Sequence, residues 1–126
     1  IMERLPTPAK IKILPGCVFR QSKPAIVGVE VLGGKIKTGV ELIKADGTNI
    51  GTINEIQDKA ENIKSAGLGM QVAISMKKPT VGRQINENDI LYVDISKEEA
   101  KSLTGLLSAD EEDVLAELVE LKSRHL

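Results

Sequence analysis

The sequence predicts a mainly β domain, a small closed antiparallel barrel followed by two C-terminal α-helices. Three observations carry this expectation. Apolar residues alternate with polar or small ones at Val27, Val29 and Val31, and again at Met70, Val72, Ile74 and Met76, the period of a half-buried strand. Turn-forming residues separate short segments of this kind at Pro15-Gly16, Gly33-Gly34, Asp46-Gly47 and Gly67–Gly69. Beyond Ile95 the period becomes helical, opened by two S-x-x-E capping boxes, Ser96 with Glu99 and Ser108 with Glu111.

Along the chain, residues 1–9 read as a linker from a preceding domain, with Pro6 and Pro8 in it, so the chain reads as a piece of a larger protein. Lys10–Leu14 is the first expected strand, ended by Pro15-Gly16. Val18–Arg20 is extended and leads into the polar loop Gln21–Pro24. Ala25–Leu32 and Lys35–Lys37 form a hairpin across Gly33-Gly34, whose glycines supply the positive φ angles of a tight turn, and Gly39 turns the chain again. Val40–Lys44 pairs with Asn49–Gln57 through a type I′ turn at Asp46-Gly47. The spacing of Ile50, Ile53 and Ile56 calls for a bulge, placed at Gly51. A charged turn, Asp58–Glu61, leads to the short strand Asn62–Ala66. The Gly67–Gly69 turn then opens the core strand Met70–Met76. The loop Lys77–Arg83, a turn at Asn86–Asp89 and the closing strand Ile90–Ile95 complete a barrel over residues 10–95.

Residues 96–126 form a two-helix extension, with helices from Lys97 to Leu103 and from Ala109 to Arg124. Acidic residues Asp110–Asp113 crowd the N-terminus of the second helix, and Lys122, Arg124 and His125 sit at its C-terminus. That order complements the helix dipole.

The 126 residues suffice for one domain with a real core, yet they include one Phe, one Tyr and no Trp. The core must be aliphatic. A formal net charge of −1 hides an asymmetry. Residues 1–95 carry 13 basic and 10 acidic side chains, and residues 96–126 carry 4 and 8. The mildly basic body is compatible with a local nucleic-acid contact but too weakly charged to require one. Cys17 is the single cysteine, so no internal disulfide can form. With His125 as the single histidine, a Cys/His zinc site is excluded. A reducing, cytoplasmic setting is expected. No apolar run reaches the roughly 18 residues of a membrane span, and no signal-peptide core is seen, so neither insertion nor secretion is expected.

No catalytic constellation emerges. Gly33-Gly34-Lys35 with Thr38 imitates a phosphate loop, but the lysine is followed by Ile36 and strand follows strand, so no helix N-terminus meets a phosphate. The carboxylates Glu98, Glu99, Asp110–Asp113, Glu117 and Glu120 lie on helix surfaces, not in a buried pair. Cys17 has no imidazole partner, and His125 is expected to be solvated at the chain end. The cations Arg20, Lys23, Lys77, Lys78 and Arg83 fall in loops, where binding residues concentrate. The scarcity of aromatics disfavours a general platform for stacking single-stranded bases. In the helical extension, Leu103, Leu106, Leu107, Leu115, Leu118, Val119 and Leu121 exceed what one narrow seam needs. Either all of them are core against the barrel, or some line a groove for a partner's tail.

Several segments carry a resemblance. PGCVFRQSKPAIVGVEV (Pro15–Val31), GGKIKTG (Gly33–Gly39), DGTNIGTINEIQ (Asp46–Gln57) and GRQINENDILYVDI (Gly82–Ile95) resemble the C-terminal domain of the archaeal and eukaryotic translation initiation factor five-B family, the counterpart of bacterial initiation factor two. The resemblance runs from Leu14 through the last helix. It implies a barrel of the translation-factor domain-two type. The two terminal helices match the archaeal and eukaryotic branch.

The resemblance further implies a non-catalytic module of a larger GTPase that joins the ribosomal subunits, with GTP and magnesium held in another domain and no cofactor in this one. Its partners would be initiator Met-tRNA, initiation factor one-A and the ribosomal subunits, and it would be a monomer with no membrane contact. The bacterial acceptor-end pocket corresponds here to Val29, to Gln57, Asp58, Lys59 and Ala60, and to about Gln71–Ala73. Only Lys59 keeps a basic charge in that second group, which argues for backbone-level contact rather than formyl-methionine recognition. The expected tRNA-binding set is therefore Arg20, Val29, Gln57, Asp58, Lys59, Met70, Gln71 and Arg83, with Arg20 and Arg83 included for their loop placement. The expected docking set for factor one-A is Leu115, Leu118, Val119, Leu121 and Lys122. The alternative is a barrel that binds protein or ribosome and spaces domains without touching tRNA.

Overall fold

The computed structural model describes residues 7–103 and 105–124. Two long strands, β1 (Ala9–Arg20) and β2 (Ala25–Lys37), form its spine. Around them lie β3 (Glu41–Lys44), β4 (Asn49–Thr52), β5 (Glu55–Asp58), β6 (Glu61–Ile63), β7 (Ser65–Gly67), β8 (Gln71–Met76) and β9 (Ile90–Val93). Helices α1 (Lys97–Leu103) and α2 (Ala109–Arg124) follow. The sheet runs β4-β3-β9-β1-β2-β8-β5-β6, with β7 paired to the end of β2. Its ladders are antiparallel, and it curls into a half-barrel with the two helices packed at one side, the class expected from the sequence. Backbone bonds from Gly39 N–H to Ile53 C=O (2.8 Å) and from Ile53 N–H to Val40 C=O (3.0 Å) tie the turn after β2 to the β4–β5 corner.

The core is aliphatic, as the composition requires. Ile11, Ile13, Val27, Val29, Ile36, Leu42, Ile56, Ile74 and Leu91 are shut off from solvent. Ile50, Ile53 and Ile56 all point inward, and the register between β3 and β4 slips by one residue beside Gly51, which is the bulge their spacing demanded.

Three turn assignments are corrected. Gly33-Gly34 makes no hairpin: β2 is continuous through it, and the glycines are there for close approach. A Cβ on Gly33 would lie 2.7 Å from the Val114 Cγ2 of α2, and one on Gly34, whose φ is +74°, would collide with the Pro8 carbonyl. Pro15-Gly16 does not end β1. The register passes from Ile13↔Val29 to Val18↔Val27, so residues 14–17 bulge out opposite Gly28 alone. At Asp46-Gly47 only the glycine has a positive φ (+88°), and Gly47 N–H bonds back to Lys44 C=O. This is a four-residue connection with a left-handed Gly47, not a type I′ turn. Two expected strands are also split. Asn49–Gln57 divides into β4 and β5 at the corner where Ile53 and Asn54 change partners, and Asn62–Ala66 divides into β6 and β7.

The helices begin as their capping boxes predict. Ser96 N–H donates to Glu99 Oε1 (2.9 Å) and Glu99 N–H to Ser96 Oγ (3.1 Å). Ser108 N–H donates to Glu111 Oε1 (2.9 Å). Helix α2 is held on the barrel along its length. The Gly34 N–H donates to the Asp110 carboxylate (2.9 Å), Val114 covers Gly33, and Lys10 pairs with Glu117 (3.2 Å). At the far end Lys122 pairs with Asp94 (2.6 Å) and donates to Ile95 C=O (2.8 Å). The expected linker lies mostly outside the described residues, and Ala9 already begins β1. His125 lies outside them too.

Candidate functional site

An open groove of about 550 Å³ crosses the outer face of the sheet. Strand register explains its shape. Across β2, β8 and β5 the partners form two rows, Gly28–Ala73–Gln57 and Ile26–Ser75–Glu55. The floor combines the small Gly28 and Ala73 with the aliphatic Ile26 and Val72. The β1 bulge walls one side with Leu14 and Cys17, and a second register slip between Val18 and Arg20 leaves Phe19 as an extra residue whose side chain stands 66% exposed. Gln57, Lys59 and Ala60 form the opposite wall, and Gln71 closes one end. Gln57 is oriented by a bond from its Nε2 to Asn62 Oδ1 (3.0 Å).

Beside this wall the β5–β6 hairpin turns on Lys59 and Ala60, both with positive φ (+52° and +68°). With Asp58 paired to Glu61, this is the geometry of a two-residue type I′ turn, normally made by Asn-Gly. Holding two L-residues with Cβ atoms in the left-handed region costs about 1 kcal/mol or more each. The turn places Lys59 at the groove's rim, with its side chain exposed.

The structure brings together part of the expected tRNA-binding set. Gln57, Lys59 and Gln71, distant in sequence, share the groove. Val29 does not belong there: it is fully buried, because β2 alternates and its neighbour Gly28 takes the groove side. Asp58 alternates away from the groove in the same manner. Met70 packs against the core, its sulfur accepting the Gly67 N–H (3.4 Å) and its carbonyl the Val31 N–H (2.9 Å). Arg20 and Arg83 are exposed in the loops at one end of the barrel and do not line the groove. Phe19, Cys17 and Gly28 carry no signal in the sequence that would place them here, because what exposes or positions them is bulge geometry.

The helical set also divides. Leu118 (1% exposed) and Leu121 (9%) are core, with Val114 beside them. They are corrected here from docking residues to the residues that seat α2. Lys122 is engaged with Asp94. Leu115 is half-buried and Val119 is 56% exposed, and with Gly105, Leu107, Ala116 and Ser123 they line a second open groove of about 560 Å³. Glu112 and Glu120 rim it.

Two groups at the α2 interface, Asp110 and Tyr92, have displaced pKa values. The bond from Ser108, and then that from the Gly34 N–H, holds the Asp110 carboxyl below its ordinary value of 3.8. Burial pushes the Tyr92 phenol above its ordinary 10.0 and Glu117 adds to the rise, while Lys10, whose ammonium lies 5.9 Å from the ring centroid, opposes it. The glycine pair does not suit a nucleotide phosphate. Gly34 N–H is taken by a carboxylate, Gly33 is covered by Val114, and a strand continues past both.

The fold is a small curled antiparallel barrel with a helical extension, and comparison with known proteins places it among translation-factor domains. The chain belongs to the family described as "Elongation factor Tu domain 4", whose model matches residues 7–92. It is 47% identical to the probable translation initiation factor IF-2 of Methanococcoides burtonii, over 98% of this chain and 22% of that protein. It is 50% identical to the probable translation initiation factor IF-2 of Ignicoccus hospitalis, over 98% of this chain and 21% of that protein. The crystal structure of GDP-bound aIF5B from Aeropyrum pernix superposes with a TM-score of 0.94 at 43% identity, covering 98% of this chain and 21% of that one. The chain is thus a domain of the archaeal initiation factor IF-2/5B type, and it spans about a fifth of the length of the curated relatives it matches. No helix among the described residues is long and apolar enough to cross a membrane.

Proposed function

We propose that this domain is a non-catalytic binding module through which a larger, ribosome-dependent GTPase holds the acceptor end of initiator Met-tRNA while the ribosomal subunits join. The observation that carries this reading is the convergence of Gln57, Lys59 and Gln71 on one groove. These are positions that the family resemblance implies independently of any geometry. The groove supplies side-chain amides, one cation and a partly apolar floor, a combination suited to a single-stranded end and to weak contact strengthened by the rest of the ribosomal complex. GTP and magnesium belong, on this reading, to the remainder of the factor, and the module acts as a cytoplasmic monomer. The second groove, walled by Leu107, Leu115 and Val119, is the proposed seat for the tail of initiation factor one-A.

Titration with aminoacylated initiator tRNA tests the first site. Lys59→Glu should weaken binding by about tenfold through loss of one cation and gain of one anion beside phosphate, while leaving the circular dichroism spectrum and unfolding midpoint unchanged. Unchanged affinity would remove the acceptor end from this groove and favour a barrel that touches only protein or ribosome.

A further inference from the structure

Phe19 is the single phenylalanine of the chain, and it is exposed. A solvent-facing ring in an aliphatic protein is unusual, and here it is held there by construction. The register slip between Val18 and Arg20 removes residue 19 from the ladder, and the bulge before it sets Cys17 on Gly28, so the ring stands in a groove shared with Cys17, Ile26 and Ala73. Cys17 covers Gly28, and the groove between Phe19, Ile26 and Ala73 is where a flat group could lie against the ring. Gln57 and Gln71 present amides at the edges of that space, the groups that read the donors and acceptors of a base.

Charge around the groove is equally specific. The loops 20–24 and 77–84 are joined by the Val81 N–H bond to Gln21 C=O (2.9 Å) and by the pairing of Ala25 with Met76. They contain Arg20, Lys23, Lys77, Lys78 and Arg83, all exposed, and no carboxylate. These five cations lie at one end of the barrel, next to the Ile26–Ser75–Glu55 row whose one acid is Glu55, and suit a chain of phosphates leading to the ring.

We infer that Phe19 is a stacking platform for an unpaired base at the 3′ end of an RNA, whose preceding phosphates lie on the cations of the 20–24 and 77–84 loops. The inference rests on the acceptor-end reading and adds to it a residue that the family resemblance did not supply. A stacked base explains why an exposed aromatic stands in this groove. It also gives the module a way to bind any RNA end before the aminoacyl group is considered.

The test uses the absence of tryptophan from the chain. Phe19→Trp places the only indole in the groove, and binding of a short RNA hairpin with a single-stranded ACCA 3′ end should quench its emission. The same hairpin lacking the terminal base should bind more weakly and leave the emission unchanged. Phe19→Ala and Phe19→Leu should each lose about fivefold to a hundredfold in affinity, and Phe19→Tyr should retain it. Because the ring is exposed, none of these changes should alter the unfolding midpoint. Equal binding by the alanine and wild-type proteins, or rescue by leucine, would overturn stacking. If Lys59→Glu weakens tRNA binding while Phe19→Ala does not, the acceptor-end reading survives and this inference falls. If neither changes binding, both fall.

Discussion

A methyl group on Gly28 would stand 2.7 Å from the Cys17 Cβ, closer than packed carbons allow. Gly28→Ala should therefore destabilise the domain by about 1–3 kcal/mol, measured as a lowered urea midpoint, and should push the β1 bulge outward over the groove. Ala60 presents the opposite case. Its φ of +68° suits glycine, so Ala60→Gly should raise stability by about 1 kcal/mol in the same assay. Lys59 keeps its place in the turn, so tRNA affinity should stay unchanged while stability rises. Neither residue announces its role in the sequence. Gly28 reads as an ordinary small residue in a strand, and Lys59-Ala60 lacks the Asn-Gly signature of the turn it makes.

At the level of elements, the apolar stripe of α2 divides between a buried side and an exposed one. Leu118 is sealed against the barrel, so Leu118→Ala should cost about 2–5 kcal/mol of stability. Val119 is one residue further and faces outward, so Val119→Asp should change stability by no more than about 0.5 kcal/mol while abolishing binding of the factor one-A tail. Paired urea melts and titrations with the tail peptide check both. The N-terminus of α2 adds a pH dependence. Asp110 has a lowered pKa in the folded state, so its contribution is fully present above the ordinary carboxylate value of 3.8 and is lost as pH falls through the lower folded value. Asp110→Asn should be less stable than wild type at neutral pH, and the two unfolding midpoints should converge in strong acid. The helices themselves were legible, ends included, because capping boxes and a 3.6-residue period are local signals. Which apolar residues face the barrel was not, since Leu115, Leu118, Val119 and Leu121 are chemically alike and only docking on Gly33 and Gly34 chooses among them.

Over the whole molecule, the near-neutral charge conceals an uneven distribution. The acidic helices cover one side of the half-barrel, and the acid-free loops 20–24 and 77–84 occupy one end. RNA affinity should fall with salt, and Lys77→Ala with Lys78→Ala should reduce the slope of log affinity against log salt by about two, one for each phosphate no longer neutralised. A slope unchanged by the double substitution would place the phosphates elsewhere.

The sequence by itself determined the class of fold, the aliphatic core, both helices with their caps, and the family. These depend on periodicity, composition and short motifs, each carried by neighbouring residues. The tertiary structure alone decided that β1 and β2 run unbroken through Pro15-Gly16 and Gly33-Gly34. It also decided that Val29 is core while Gly28 floors the groove, and that Phe19 stands in solvent. The physical reason is register. A bulge is a mismatch between two strands, so the face on which each residue falls exists only once its partner strand is in place.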